Sequence, residues 1–267
     1  MAPLMRGWLH DMYWKEADVR FVPWCMGGYM VNVPHFLAEK HERSTWERER
    51  FQSMEANLRK GDVLFDIGAE QGNMSAIYAR FIGGPETICL FEPNPMLWPN
   101  IRLTFEHNGL GNTPLGTYCG FVGNTSHVPS KEDMDYSTEF YKGWPKPAFV
   151  DALFDGTSFR YLYEHSHNTQ RITIDDWVAQ TQIVPQAITM DVEGYELKVL
   201  EGAVNTLDKF SPIVWVSLHD YDRNNILQIY EKEDPNPLVF ELMAGLGYEM
   251  IKIAEDHESH YVCHRNV

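Results

Sequence analysis

The chain has 267 residues, 44% of them hydrophobic and eight of them Trp, enough for one α/β unit with a sizeable core. Its formal net charge of −16 disfavours unassisted binding to duplex nucleic acid or an anionic membrane, both of which need basic surface. No apolar run reaches the roughly 18 residues of a spanning helix, and no N-terminal leader stands out.

Residues 1–43 read as an N-terminal arm. Within it FVPWCMGGYMVNVP suggests a short hairpin or lid, or simply an arm packed on the core. The main domain is expected over 44–267. Ser44 or Thr45 would cap a helix running to Leu58, with Glu47 and Glu49 near its start. Lys60-Gly61 leads into an apolar strand over 63–67. Met74, Ile77, Tyr78 and Phe81 then recur at helical spacing. A second strand, 87–91, ends in Glu92, and a helix follows Pro93 and Pro95 to about His107. A third strand is expected over 115–122. Residues 124–169 are rich in aromatics without periodicity, which suggests a cap over an acceptor pocket. A strand over 171–174 and a helix starting at Asp175 or Asp176 come next. Strand 187–190 ends in Asp191, and Glu193-Gly194 makes a turn. Tyr195, Val199, Leu200 and Val204 share a helix face. Strand 213–218 ends in His219-Asp220, and helix 236–246 precedes a hairpin of strands 249–253 and 259–264. This alternation predicts an α/β fold with a doubly wound, mostly parallel sheet and antiparallel strands at one edge.

The chemistry concentrates in the turn D-x-G-x-x-x-G, formed by Asp66, Gly68 and Gly72 between the first strand and its helix. Such a turn lets backbone approach a ligand closely. Glu92 stands 24 residues after Gly68, near the spacing of about 20 at which nucleotide-binding folds hold ribose hydroxyls. The dinucleotide G-x-G-x-x-G and the Walker G-K-[ST] are both absent. Asp66 and Glu70 would repel a pyrophosphate and suit a cation. S-adenosylmethionine (SAM), with a sulfonium and an ammonium, fits that requirement. The plain alternative is a structural turn with no ligand. Cys25, Cys89, Cys119 and Cys263 are far apart without zinc spacing, so they read as reduced thiols in a cytoplasmic protein. His257, His260 and His264 resemble metal ligands at first sight, but on a strand only the last two share a face.

The blocks DIGAEQG, FEPNP, TIDDW and DVEGYELKVLEGA, in that order, closely resemble the FkbM-type SAM-dependent methyltransferases. The resemblance covers about residues 46–218. It implies a class I methyltransferase (Rossmann-like) fold with a seven-stranded sheet and O-methylation of a sugar, polyketide or other small natural product. By position, Asp66, Gly68, Ala69 and Gly72 would line the methionine end of SAM. Glu92 would hold the ribose, Asn94 would lie near the adenine, and Asp191 would face the methyl region. Glu70, Gln71 and Pro93 belong to the same cofactor-binding set. The family usually has Asn at Glu70 and an apolar residue at Gln71, and often Glu where Ser217 stands. A Trp46-Glu47 pair matches an acid the family often keeps ahead of the first strand.

A hydroxyl attacks a sulfonium methyl only once its proton is removed, so a base is required. Asp191 and Glu193, at a strand's carboxyl end, are the expected catalytic centre, with His219 as helper base titrating near neutrality. As plainer alternatives, His219 is a loop histidine and Glu193 a turn acid favouring the next helix by ~0.3–1 kcal/mol. A metal-dependent version has Mg²⁺ held by Asp191 and Asp220. The expected partner is a small-molecule or glycan acceptor, with a homo-oligomer left open. Two other functions stay in view. One is a methyltransferase of nucleic acid or a modified base, opposed by the charge and by the absence of an N-P-P-Y-like motif. The other is a non-catalytic partner protein of the same fold, which a degraded glycine turn or a lost Glu92 would favour.

Overall fold

A computed structural model describes residues 20–40, 45–94, 97–111, 113–127, 144, 170–221, 233–256 and 258–265. The expected boundary at 43/44 and all of the expected cap but 124–127 and Trp144 lie outside them.

Strands β1 (Phe21–Met26) and β2 (Tyr29–Pro34) form an antiparallel hairpin. Gly27 and Gly28, at φ 57° and 95°, supply the two left-handed residues of its turn. The hairpin is also the arm packed on the core, because Trp24, Met26, Val31 and Val33 are buried in the main hydrophobic cluster. Helix α1 (His35–Lys40) precedes α2 (Arg48–Asn57). The cap of α2 differs from expectation. Ser44 lies outside the described residues, and Thr45 offers its backbone carbonyl to Arg48 N (3.4 Å). The chain enters α2 through Glu47 in the left-handed conformation, with no side-chain cap.

Next come β3 (Leu64–Ile67), α3 (Asn73–Ile82), β4 (Ile88–Phe91), α4 (Trp98–His107) and β5 (Gly116–Tyr118). The strand expected over 115–122 is split. Cys119-Gly120 turns away from the sheet, tied by Gln170 Nε2 donating to Cys119 O (2.7 Å). Then β6 (Phe121–Val122) pairs in parallel with β7 (Arg171–Ile172) in a separate small sheet. Helix α5 (Ile174–Thr181) starts ahead of Asp175, because Thr173 is its N-cap and accepts from Asp176 N (2.9 Å). Strand β8 (Ala187–Met190) leads to α6 (Glu196–Glu201) and α7 (Val204–Phe210), where a single helix face was expected. Gly202 marks the break, lying so close to the preceding loop that a Cβ there would stand 1.9 Å from Gly123 O. The chain closes with β9 (Ile213–His219), α8 (Asn236–Gly245), β10 (Tyr248–Glu255) and β11 (Glu258–Arg265).

The main sheet has seven strands in the order β10-β11-β9-β8-β3-β4-β5. β3, β4, β5, β8 and β9 are parallel, and β11 is antiparallel to both β9 and β10. This is the class I methyltransferase sheet, with its terminal antiparallel hairpin folded into the edge. The strand order reverses between β3 and β8, the place where open α/β sheets bind ligands at their carboxyl ends.

Alternation along the strands sorts residues to two cores. Leu64, Leu90, Ala187, Trp215 and Val262 pack with the hairpin and α2 to α4. Phe65, Phe91, Ile188, Val214 and Cys263 pack with α5 to α8. Continuing the period of two puts Asp66, Glu92, Thr189, Ser217, His219, Glu258 and His260 on the face that α2 covers. None of the described helices is long and apolar enough to cross a membrane.

Candidate active site

The glycine turn is built by close approach. Gly68 sits at φ 90°, and a Cβ there would stand 2.0 Å from the carbonyl oxygen of Asp191. Gly68 N and Ala69 N both donate to Phe91 O, at 2.8 and 3.1 Å, which locks the turn to the end of β4. Glu70 adopts the left-handed conformation at φ 47°, a strain of about 1–2 kcal/mol for an L residue and a mark of functional turns. That geometry aims Glu70 N at Glu92 Oε2 (3.0 Å), while Asn94 N donates to Glu92 Oε1 (2.8 Å). Burial pushes the Glu92 carboxyl up to about 8, with Asp66 and Glu70 nearby adding to the rise and the two backbone donors opposing it. Burial likewise raises Asp66 to about 6, against the pull of Ser75 and Arg50. Asp66 Oδ2 is buried without a hydrogen-bond partner among the described residues. Gln71, where the family usually has an apolar residue, is buried and accepts from Asn100 Nδ2 (2.9 Å). Its amide thus ties the turn to α4. Pro93 and Asn94 are half-buried just beyond β4.

Across the crevice, the ends of β8, β9 and β11 bring four carboxylates around one imidazole. His219 is 5% exposed. Its Nδ1 lies 3.0 Å from Glu196 Oε1, which also accepts from Gly194 N (3.1 Å) and Val192 N (3.3 Å). Glu196 therefore orients the ring and shapes the turn that carries Glu193. Nε2 faces Glu258 Oε1 (3.2 Å), Glu193 Oε2 (3.3 Å) and Asp191 Oδ1 (3.8 Å), aligned with none as a hydrogen bond. Glu193 is held at φ 55°, the second acid of the site in a left-handed turn. Burial acts to lower the His219 pKa, but the carboxylates of Glu193, Glu196 and Glu258 outweigh it and raise the pKa above the usual histidine value. The neutral-pH titration expected of His219 is therefore corrected: the imidazole is held as a cation. Asp191 moves upward too, through burial first and Glu258 second, with His219 and Arg50 opposing.

Sequence reasoning missed what lies behind these acids. Arg50, 2% exposed, crosses from α2 beneath the strand ends. It donates to Ser217 Oγ (2.6 Å), Thr189 Oγ1 (2.5 Å) and Met190 O (3.2 Å), and lies 3.6 Å from Glu47. The buried Glu47 of the Trp46-Glu47 pair also lies 3.7 Å from His260, whose Nδ1 meets Ser217 Oγ at 2.8 Å. Ser217, where the family often has an acid, thus joins Arg50 to His260. The run ERER reads as a solvated helix start, and nothing local marks its second arginine as buried. Glu258 and Glu196 were likewise hidden, one in a hairpin strand and the other in a helix first turn.

Ligand-type atoms within 4.8 Å of one another occur in two groups among the described residues, Asp191-Glu196-His219 and Glu47-Asp256-His260. Asp191 is in the first of these groups of three, and Asp220 is in neither. His257 lies outside the described residues, and His260 is engaged with Ser217 and Asp256.

The chain is 24% identical over 214 residues to the hexuronic acid methyltransferase AglP of Haloferax volcanii, covering 79% of this chain and 74% of that protein. A solved FkbM methyltransferase from Methylobacillus flagellatus superposes with a TM-score of 0.43 at 16% identity, over 76% of this chain and 43% of that one. M. jannaschii TYW2 in complex with AdoMet gives a TM-score of 0.44 at 13% identity, over 93% and 88%. The model of the FkbM methyltransferase domain matches residues 66–250, from Asp66 in β3 to the first residues of β10. That span holds the glycine turn, Glu92 and the Asp191–His219 cluster, and the chain belongs to the FkbM methyltransferase family.

Proposed function

We propose that the protein is a SAM-dependent O-methyltransferase acting on a hydroxyl of a sugar or similar small natural product. The observation that carries this reading is the crevice between β3 and β8, with a cation-suited glycine turn on one side and the Asp191 cluster on the other. The residues fit the cofactor. Asp66 offers a buried carboxylate oxygen without a hydrogen-bond partner, and Glu92 an acceptor group fixed by two backbone donors. Asp66, Gly68, Ala69 and Gly72 would hold the amino-acid end, Glu92 the ribose, and Pro93 and Asn94 the base. When bound, SAM supplies an electrophilic methyl on a sulfonium.

The chain's own residues do the rest. Asp191, at the crevice and with its basicity raised by burial, is the acceptor for the hydroxyl proton. Cationic His219 lies 3.8 Å away and favours the ionised form of Asp191, against the rise that burial and Glu258 cause. Glu193, half-exposed in its turn, orients the acceptor hydroxyl. The hexuronic acid named for the Haloferax relative supports a sugar acceptor in general terms. The test is a panel of hydroxylated sugars and polyketides with labelled SAM. Label on an acceptor oxygen supports the reading, and label only on nitrogen or carbon acceptors overturns it.

A further inference from the structure

A cavity of about 250 Å³ opens beside His219, between the ends of β9 and β11 and the start of α8. It is smaller than the roughly 300–1,000 Å³ of drug-sized ligand pockets and suits a single sugar ring. Its wall is acidic: Asp220, Asp234, Glu255, Asp256 and Glu258 all line it, and among the described residues no Lys or Arg does. On another side stand Phe240 and Tyr261, edge to face at 5.3 Å, with Phe240 39% exposed. His219 also lines the cavity, and its Nε2 lies 3.2 Å from Glu258 Oε1, another lining residue. Asn236, which donates from Nδ2 to His219 O (2.9 Å), fixes the rim to the end of β9.

We infer that this cavity is the acceptor subsite and that it selects a sugar ring bearing a protonated amine over a neutral sugar, and excludes a uronic acid. The inference rests on the methyl-transfer reading of the adjoining crevice and narrows it. The carboxylate and aromatic walls favour the same charge, and the His219 cation is already faced by Glu193, Glu196 and Glu258. Carboxylates attract an ammonium and accept from ring hydroxyls, and the π faces of Phe240 and Tyr261 attract a cation over them. Both disfavour a carboxylate, since juxtaposed like charges cost several kcal/mol. Asp191 lies 3.8 Å from His219, which lines the cavity, so the cavity adjoins the proposed base across that imidazole. Acceptor charge then separates this chain from the Haloferax relative named for a hexuronic acid.

The test reads binding, so it does not depend on turnover. The full chain, saturated with S-adenosylhomocysteine, is titrated calorimetrically with glucosamine, glucose and glucuronate, below the pKa of the amine. Glucosamine is expected to bind about tenfold or more tighter than glucose, with glucuronate weakest. Asp220→Asn with Asp234→Asn should remove most of that preference, and Phe240→Ala should weaken glucosamine and glucose together. Glucuronate binding as tightly as glucosamine overturns the inference, as does a preference unchanged in the double variant. Mg²⁺ alone displacing glucosamine stoichiometrically also overturns it, because the acids would then form an ion site. Glucosamine bound with the expected preference but never methylated would sink the O-methyltransferase reading and leave the subsite standing.

Discussion

Glu92 carries two functions in one buried carboxyl. Both oxygens are held by backbone donors, and burial keeps its pKa up to about 8. Ribose hydroxyls donate best to the ionised form, so SAM affinity should rise with pH through about 8, with protons released on binding. Calorimetry in buffers of different ionisation heat measures that release, and proton uptake would contradict it. The stability sign runs the other way. With its pKa raised on folding, Glu92 contributes stability fully present below the ordinary carboxylate pKa and lost as pH rises towards 8. Glu92→Ala should weaken SAM by roughly 1.5–3 kcal/mol, the scale of hydrogen bonds to a charged group. Asp191→Asn should slow transfer by ~10²–10⁴ with SAM binding intact; unchanged turnover would move the base elsewhere. Gly68, Glu92 and Asp191 were legible in the sequence because each sits at a strand end, where a hydrophobic run stops at a glycine or an acid. The protonation of His219 was not. It depends on Glu196 and Glu258, brought close only by the pairing of β11 with β9 and by the turn before α6.

At the scale of elements, α2 holds the site from behind. Arg50 joins β8 and β9 through separate guanidinium nitrogens, and against burial its charge is favoured by Tyr78 and by the acids Glu47, Asp191 and Asp66. Removing one partner of a buried charged set leaves the others uncompensated, so Arg50→Met should cost about 3–5 kcal/mol in denaturant unfolding. Arg50→Lys should rescue little, because one ammonium cannot reproduce a fork that reaches two strands. A Lys variant as stable as the parent would refute the strut. The elements of the sheet were legible almost to the residue, since buried strands and amphipathic helices have distinct periods. The errors fell where tertiary contact overrides period. Gly202 breaks one apparent helix because backbone from Gly123 presses on it, and Gly120 ends β5 early because Gln170 packs there. The hairpin of β1 and β2 was readable from Gly27-Gly28, whereas the layer it covers was fixed by contacts with α3 and α4.

For the whole molecule, strand–helix alternation and a closing hairpin were enough to foresee the sheet. The order places β3 beside β8, and from that neighbourhood Asp191 meets the glycine turn. What composition adds is a field. A net charge of −16, with five acids lining the cavity beside His219, predicts a negative potential that reaches the crevice. SAM carries a net positive charge near neutrality, so its approach should be accelerated by that field. Salt screens such steering once the Debye length falls from about 10 Å at 0.1 M to about 3 Å at 1 M. The SAM association rate, followed by stopped-flow tryptophan fluorescence, should therefore fall as NaCl rises, while the dissociation rate changes less. The same screening relieves repulsion among the surplus carboxylates, so Tm should rise with NaCl over the same range. The two trends have opposite signs and one cause. An association rate indifferent to salt while Tm rises would mean the surplus charge lies away from the crevice, and the acidic end of the sheet would then have no part in gathering the cofactor.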